Sequence, residues 1–430
     1  MRGPPTSGVQ RGARMRAPRL LGLMLIGSSV AGASWASMAP TVTWPAWAIQ
    51  LARDVDQFDA LAEADAHIWG QLPVIDARAQ GVIGDGVTDD TPALQALLDS
   101  LSGGGTLVLD GGVFVQMRCL RLSHRHVRLL GRGARLHASN PDDMCISLDG
   151  EGSELRGLEL TAQTVRRGTM LEQSRVVVQG RGTKVIDNRI RGSTSAAIMI
   201  FGARSYAIVG NQVSATLSDG IHSTHGATMG YIARNATDAT GDDGIAVVSY
   251  RDGPRCSRIL IEDNLVSGVS WARGISVVGS ADVVVRRNKV AGTGRAAGII
   301  ITREDSYDTY GVERVLILDN SVSEIAKRFD WPDDHQTGQA AIDVNAHVAP
   351  VPELQVRQVL IGGNTVVDGR TDGIRLLGGV CDVTIADNSV HRMGGVGIAV
   401  VDATCARPIA SCSGNEVDAP QTNPPDCRSP

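Results

Sequence analysis

The sequence predicts an all-β chain wound as a single-stranded parallel β-helix, a solenoid closed at its N-terminal end by a capping helix. A short internal repeat, the lack of helical stretches within it, and the composition carry this reading. Glycine supplies 50 of the 430 residues and aromatics only 3%. Chains that are rich in glycine, poor in aromatics and full of valine and isoleucine often repeat a short strand–turn unit.

Asparagine marks the repeat. Aliphatic strands end at Asn188 (VIDN), Asn211 (IVGN), Asn235 (YIARN), Asn264 (LIEDN), Asn288 (VVRRN), Asn320 (LILDN), Asn364 (LIGGN) and Asn388 (TIADN), with a ninth copy at Asn415. The gaps are 23, 24, 29, 24, 32, 44, 24 and 27 residues. A second mark is an isoleucine after small or charged residues, at 198, 221, 245, 275, 299, 342, 374 and 398. It lies 10 or 11 residues beyond each asparagine, except for 22 after Asn320. A base period of 23 or 24 is too short for a βαβ unit but fits one coil of a β-helix, each strand pairing with its copy in the next. Stacked at one inward turn, an asparagine amide can bond the coil backbone and the next asparagine. Leucine-rich repeats are the competing solenoid, and their leucine and helix pattern is absent.

The open end of a solenoid needs a cover. Asp90-Thr91-Pro92 reads as a helix start, Leu94, Leu97, Leu98 and Leu101 form an apolar stripe, and Gly103-Gly104-Gly105 stops the helix. Asp85, Asp89 and Asp90 are expected in turn and capping roles rather than as a metal cluster. The stretch GDGVTDDTPALQALLDSLSGGGTLVLDGGVF resembles the opening of the pectate-lyase/polygalacturonase superfamily, and the resemblance implies a right-handed helix. The expected organisation is a leader over 1–48, a linker over 49–73, an N-terminal cap over 74–115, the β-helix over 116–404 and a tail over 405–430.

Arg2, Arg11, Arg14, Arg16 and Arg19 precede an apolar run from Leu20 to Ala36, and no acid appears before Asp54. Glycines and serines interrupt the run, so it reads as a signal peptide rather than a membrane anchor, with small residues at Ser34-Trp35-Ala36 or Ala46-Trp47-Ala48 for cleavage. A secreted or periplasmic protein is expected, with no membrane partner after cleavage. The whole chain has net charge −5; without those five arginines, 36 of the 41 basic residues face 46 acids, near −10. No basic arm is present, which argues against nucleic acid as a partner.

Seven cysteines, Cys119, Cys145, Cys256, Cys381, Cys405, Cys412 and Cys427, show no CxxC or His/Cys cluster, so structural disulfides are expected rather than zinc. Cys405 with Cys412 and Cys381 with Cys427 are the pairings considered, one thiol being left over.

Aligning coils on the residue before Gly-Ile puts Asp219, Asp243 and Arg273 in one column, with Asp242 beside Asp243. Neighbouring coils lie about 4.8 Å apart. Carboxylates this close push one pKa upward, which keeps one as an acid while another remains a base, the pair that glycoside cleavage uses. Asp before Gly is also ordinary turn chemistry, and Asp372-Gly373-Ile374 repeats it elsewhere. Coils before Ile245 read as near minimal. Insertions after Ile245, around Ile299 and around Ile342 carry Tyr250, Tyr307, Tyr310, Phe329 and Trp331, with Trp271 adjacent, and these suit stacking on sugars. Arg251, Arg255, Arg258, Arg273 and Arg303 suit recognition of a uronate carboxylate or simple surface charge.

This segment resembles the active site of glycoside hydrolase family 28, the polygalacturonases: LSDGIH matches the Asn-Thr-Asp-Gly step, TGDDGIAV the Gly-Asp-Asp step, WARGISV the histidine step and GIIITRED the Arg-Ile-Lys step. The resemblance implies an inverting hydrolase without cofactor or metal, acting on a polysaccharide. Asp242 or Asp243 is then the acid, and Asp219 with the other the base. Arg273 replaces the histidine, and Ile300 and Thr302 replace the Arg and Lys, with Arg303 just beyond. His222 and His225 lie near Asp219 and could substitute in part. The expected substrate-binding residues are His222, Tyr250, Arg251, Trp271, Arg273, Arg303, Tyr307 and Trp331. The rival readings are a lyase or C5-epimerase, with Arg273 or Arg303 as base, Tyr250 as acid and calcium on the aspartates, or a non-catalytic binding solenoid. The Asp-Pro-His-Asp signature of alginate epimerases is missing.

Overall fold

The computed structural model describes residues 44–327, 337–347, 349, 351–418 and Cys427. The leader up to residue 43, and Phe329 and Trp331, lie outside the described residues.

Three parallel sheets of 13, 13 and 11 strands run along the described chain, and within each sheet a strand pairs with its counterpart one coil away. This is the parallel β-helix that the period of 23 or 24 requires. Each coil visits the first sheet, turns sharply at the repeated asparagine, crosses the second sheet and then enters the third. Six third-sheet strands matter below: β1 (Ile198–Phe201), β2 (Ile221–Thr224), β3 (Ile245–Val248), β4 (Ile275–Val278), β5 (Ile299–Thr302) and β6 (Ile342–Ala346). They pair in register on their first isoleucines. Those isoleucines point inward and are fully buried, joining inward valines and isoleucines of the other sheets in one continuous core.

The asparagine turn satisfies its own polar groups. Asn264 Nδ2 donates to Asn288 Oδ1 (2.9 Å) and to Ile232 O in the preceding coil (3.0 Å), and its backbone N–H donates to the same Oδ1 (3.0 Å). The pattern runs from Asn188 to Asn415. The residue before each asparagine is left-handed: Gly210, Gly363 and Gly414 accept this without strain, and Asp187, Arg234, Asp263, Arg287, Asp319 and Asp387 adopt it at some cost.

The capping helix α3 (Thr91–Ser100; helices numbered along the described chain) buries Leu94 and Leu98, with Leu101 just beyond it, against the first coil. The aspartates before it hold turns, as expected. Asp85 accepts from Val87 N and Thr88 N, and Asp89 from Thr91 N. Asp90, at the N-cap position, turns its carboxylate to Ile83 N, Gly84 N and Val115 N rather than to the helix. The cap strands Val74–Asp76 and Asp85–Asp89 already belong to the ladders.

Two expectations need correction. The stretch taken as a linker over 49–73 instead folds, with helices α1 (Ala46–Val55) and α2 (Ala60–Glu63). Ala48, Leu51, Ala52 and Val55 recur at helical spacing and pack on an apolar outer face of the first sheet, against residues such as Tyr231, Leu260, Val284 and Leu316. The disulfides are Cys119–Cys145, Cys381–Cys405 and Cys412–Cys427, with Cys256 free and buried. The first two link neighbouring coils at sequence separations of 26 and 24, the repeat itself. The third fastens the tail, whose strands Ile409–Ser413 and Glu416–Val417 continue the ladders past residue 404. No described helix is long and apolar enough to cross a membrane.

Candidate active site

Asp219, Asp242 and Asp243 sit at the turn that leads from the second sheet into β2 and β3. In-register pairing of Ile221, Ile245 and Ile275 stacks Asp219, Asp243 and Arg273 on three successive coils. The Asp-Gly-Ile turn itself has a structural origin. A Cβ at Gly244 would fall 2.4 Å from Val266 Cγ1 and one at Gly373 2.3 Å from Val390 Cγ1, so the turn must lie directly on the core. The aspartate then accepts the backbone N–H of the next coil: Asp243 N to Asp219 Oδ1 (2.9 Å), Arg273 N to Asp243 Oδ1 (2.8 Å), Val396 N to Asp372 Oδ1 (2.8 Å). Asp372 does this work with no second carboxylate beside it in the motif, so the motif alone is not chemistry.

What differs at the middle coils is crowding. One carboxylate oxygen from each of Asp219, Asp242 and Asp243 lies within 4.8 Å of the others. His222, pointing outward from β2, places Nδ1 2.7 Å from Asp219 Oδ2. Ser276 of β4 donates to Asp243 Oδ2 (2.5 Å). Arg273 brings Nε to 3.3 Å from Asp243 and bonds Glu304 at 2.7 Å. Asp242 takes the guanidinium of Arg167 instead. Asp219 and Asp243 are buried, while Asp242 is the most open of the three.

Burial, then the neighbouring Asp243, holds Asp242 above the ordinary carboxylate range against the pull of Arg167. Burial also raises Asp243; Arg273 opposes this and Asp219 adds to it. Glu304 is raised by burial, with Arg273 opposing. For His222, burial is the largest single influence and favours the neutral ring, but Asp219, Asp243 and Asp242 together outweigh it and raise its pKa. Tyr250 is pushed up to about 12 by burial and then by Asp219 and Glu304.

The loops after β3 and β5 join over this site. Tyr250 bridges to Thr309, Arg251 N donates to Asp308 O (3.0 Å), and the Tyr310 hydroxyl donates to Gly253 O (3.0 Å). Arg251 also pairs with Asp308, and Arg303 with Asp305. Tyr307 stands 63% exposed on this wall. Trp271, 47% exposed, carries the Arg295 guanidinium 4.0 Å from its ring centroid. His225 stacks on Phe201 at 4.1 Å, with Tyr250 beyond it.

Sequence reasoning missed Arg167 and Glu304. Arg167 comes from the 163–175 connection, an insertion in a coil read as near minimal, and reaches Asp242 across 75 positions; no periodicity announces that. Glu304 lies in the GIIITRED segment beside Arg303, where the search was for a cation.

The trio is poorly furnished for calcium, which takes six to eight oxygen ligands. Both oxygens of Asp219 and of Asp243 already accept protein hydrogen bonds, and Arg167 and Arg273 supply the compensating charge.

Residues 145–314 match the family model for a right handed beta helix region. No curated protein matches the sequence. Among solved structures, the exopolygalacturonase of Thermotoga maritima aligns with TM-score 0.59 at 15% identity, over 82% of this chain and 96% of that one. An α-1,3-glucanase catalytic unit of glycoside hydrolase family 87 from Streptomyces thermodiastaticus gives 0.56 at 15%, over 78% and 68%. The A-module of a mannuronan C-5 epimerase from Azotobacter vinelandii gives 0.53 at 18%, over 80% and 100%. The chain is thus a right-handed parallel β-helix protein, in the architecture that the resemblance implied.

Proposed function

We propose that the chain is an exported polysaccharide-degrading glycoside hydrolase of polygalacturonase type that uses Asp219, Asp242 and Asp243. One observation carries the reading: carboxylates from adjacent coils crowd where burial holds Asp242 and Asp243 above their ordinary range. A carboxyl whose pKa is raised is what leaving-group protonation requires. Asp242 is the acid. It is the most open of the three, and among the described residues its side-chain partner is Arg167 rather than a backbone N–H. Asp219 and Asp243 receive the proton of the attacking water as its oxygen bonds the anomeric carbon and the glycosidic C–O bond breaks. His222, Arg273 and Ser276 hold those two in place. Tyr250, Trp271 and Tyr307 supply surfaces for sugar rings.

The oxygens within 4.8 Å of one another are closer than the roughly 6.5–9.5 Å usual for inverting pairs. They lie nearer the roughly 5–5.5 Å of retaining pairs, so the anomer first released, read by NMR, decides between inversion and retention.

The lyase or epimerase reading is weaker here. Its base must lose a proton. Burial disfavours the charge on Arg273, but Asp243 and Glu304 outweigh it and hold Arg273 more firmly cationic than a free arginine. By contrast, burial lowers the pKa of Arg303, which pairs with Asp305. The family-87 glucanase and the exopolygalacturonase share the fold and are by name glycan hydrolases, which agrees with the proposal. Three disulfides agree with export. Cleavage near Ala36 is favoured over Ala48, because the latter would cut the first turn from α1, in which Ala48 is buried.

The test is a polysaccharide panel with products read by mass. Fragments heavier by one water support the hydrolase. Unsaturated fragments, changed sugars at constant length, or binding alone would replace it by a lyase, an epimerase or an adhesin.

A further inference from the structure

Uronate recognition needs cations that are not already satisfied by the protein, since a guanidinium gains most from a carboxylate when it has none. Around the carboxylate trio, four arginines face protein acids. Arg167 meets Asp242; Arg273 meets Asp243 and Glu304; Arg251 meets Asp308; Arg303 meets Asp305. Farther along the same sheet face, Arg375 meets the fully buried Asp343 at 2.6 Å. Counting Asp219 with the acids and Arg295 with the arginines, seven acids stand against six arginines, so no surplus of cations is left over. Arg295, without an ion pair among the described residues, holds its guanidinium over the Trp271 ring.

The sheet beneath the site adds no free cation, and Ala246, Ser276 and Ile300 on it are buried. Side chains pointing outward from β1, β2, β3, β4 and β5 are Met199, His222, Ala246, Ser276 and Ile300, which stack in register. The one titratable member, His222, is already bonded to Asp219. Exposed Tyr307 and Trp271 offer flat apolar faces. Such a site offers a polyanion no surplus of cations and suits rings with hydroxyl groups and C–H faces.

We infer that the substrate of this cleft is an uncharged polysaccharide, not a polyuronate. The inference rests on the hydrolase reading for turnover, but binding tests it separately. The experiment uses the folded protein without its leader, uncharged glucans, mannans, galactans and xylans, the polyuronates homogalacturonan and alginate, and the cationic polymer chitosan. Binding is followed by affinity electrophoresis and turnover by reducing ends, at low and high salt.

Expected is turnover of an uncharged polymer, with KM changing less than about twofold between low and high salt, because no substrate charge is screened. Binding of an uncharged polymer without new reducing ends supports the substrate class and removes the hydrolase. Reducing ends from a polyuronate keep the hydrolase and overturn the substrate class. Preferred binding of chitosan, or no binding of any uncharged polymer, also overturns it.

Discussion

Two corners of the same solenoid stack one polar side chain per coil, with opposite results. At the asparagine corner every amide has both a donor and an acceptor, so each coil completes the next and the stack is neutral and buried. At the aspartate corner the side chains only accept. Their first oxygens accept the next coil's N–H, where the asparagine oxygens accept the preceding coil's, but the remaining charge has no internal answer. Arg167, Arg273 and His222 are recruited to it, and Asp242 and Asp243 still stay above their ordinary range. One stacking geometry therefore gives stability with an amide and reactivity with an acid.

The largest effect that sharpens this contrast is on turnover. Asp243→Asn keeps an oxygen for Arg273 N–H but not the charge, so kcat/KM should fall roughly 10²–10⁴-fold, measured by reducing ends. Its melting temperature at pH 7 should hold or rise. A carboxyl raised on folding stabilises most at low pH, where both states are protonated, and that contribution is lost as pH rises through the folded value. The wild type should therefore lose stability relative to the variant as pH rises above the ordinary carboxylate value, about 4, by calorimetry at several pH values.

At the other corner the result should invert. Asn264→Ala strands Ile232 O and removes the acceptor of Asn235, at about 1–3 kcal/mol for each buried group left unpaired. A marked fall in melting temperature is expected, with activity per folded molecule kept. A subtler effect concerns Arg167, which pulls Asp242 down. Arg167→Ala should move the alkaline limb of the pH–rate profile upward, and Arg167→Lys should restore much of it. The smallest effect is expected at Asp372. Asp372→Asn still accepts Val396 N–H, so turnover and melting should stay close to wild type, within roughly 0.5 kcal/mol in stability. A large loss of activity there would erase the distinction between turn and site.

Features that repeat were legible in the sequence. The asparagines, the isoleucines that open the third-sheet strands and the Asp219–Asp243–Arg273 column could be aligned because each must meet its copy one coil away. The α3 stripe was legible from helical spacing. Features made once were not. Arg167 arrives from a distant loop, Glu304 lies beside a residue chosen for its charge, and α1 straddles the stretches read as leader and linker, too short to show its helical face in either. The disulfides illustrate both cases: two obey the coil spacing and could have been paired by it, whereas Cys412–Cys427 depends on how the tail returns.

A pH titration of the side-chain carboxyls by infrared difference spectroscopy, comparing wild type with Asp242→Asn and Asp243→Asn, tests the central claim without knowledge of the substrate. A protonated carboxyl band should persist in the wild type above the ordinary aspartate range, about pH 4, and be lost or displaced in both variants. Carboxyls that all ionise in the ordinary range, alike in the three proteins, would contradict it.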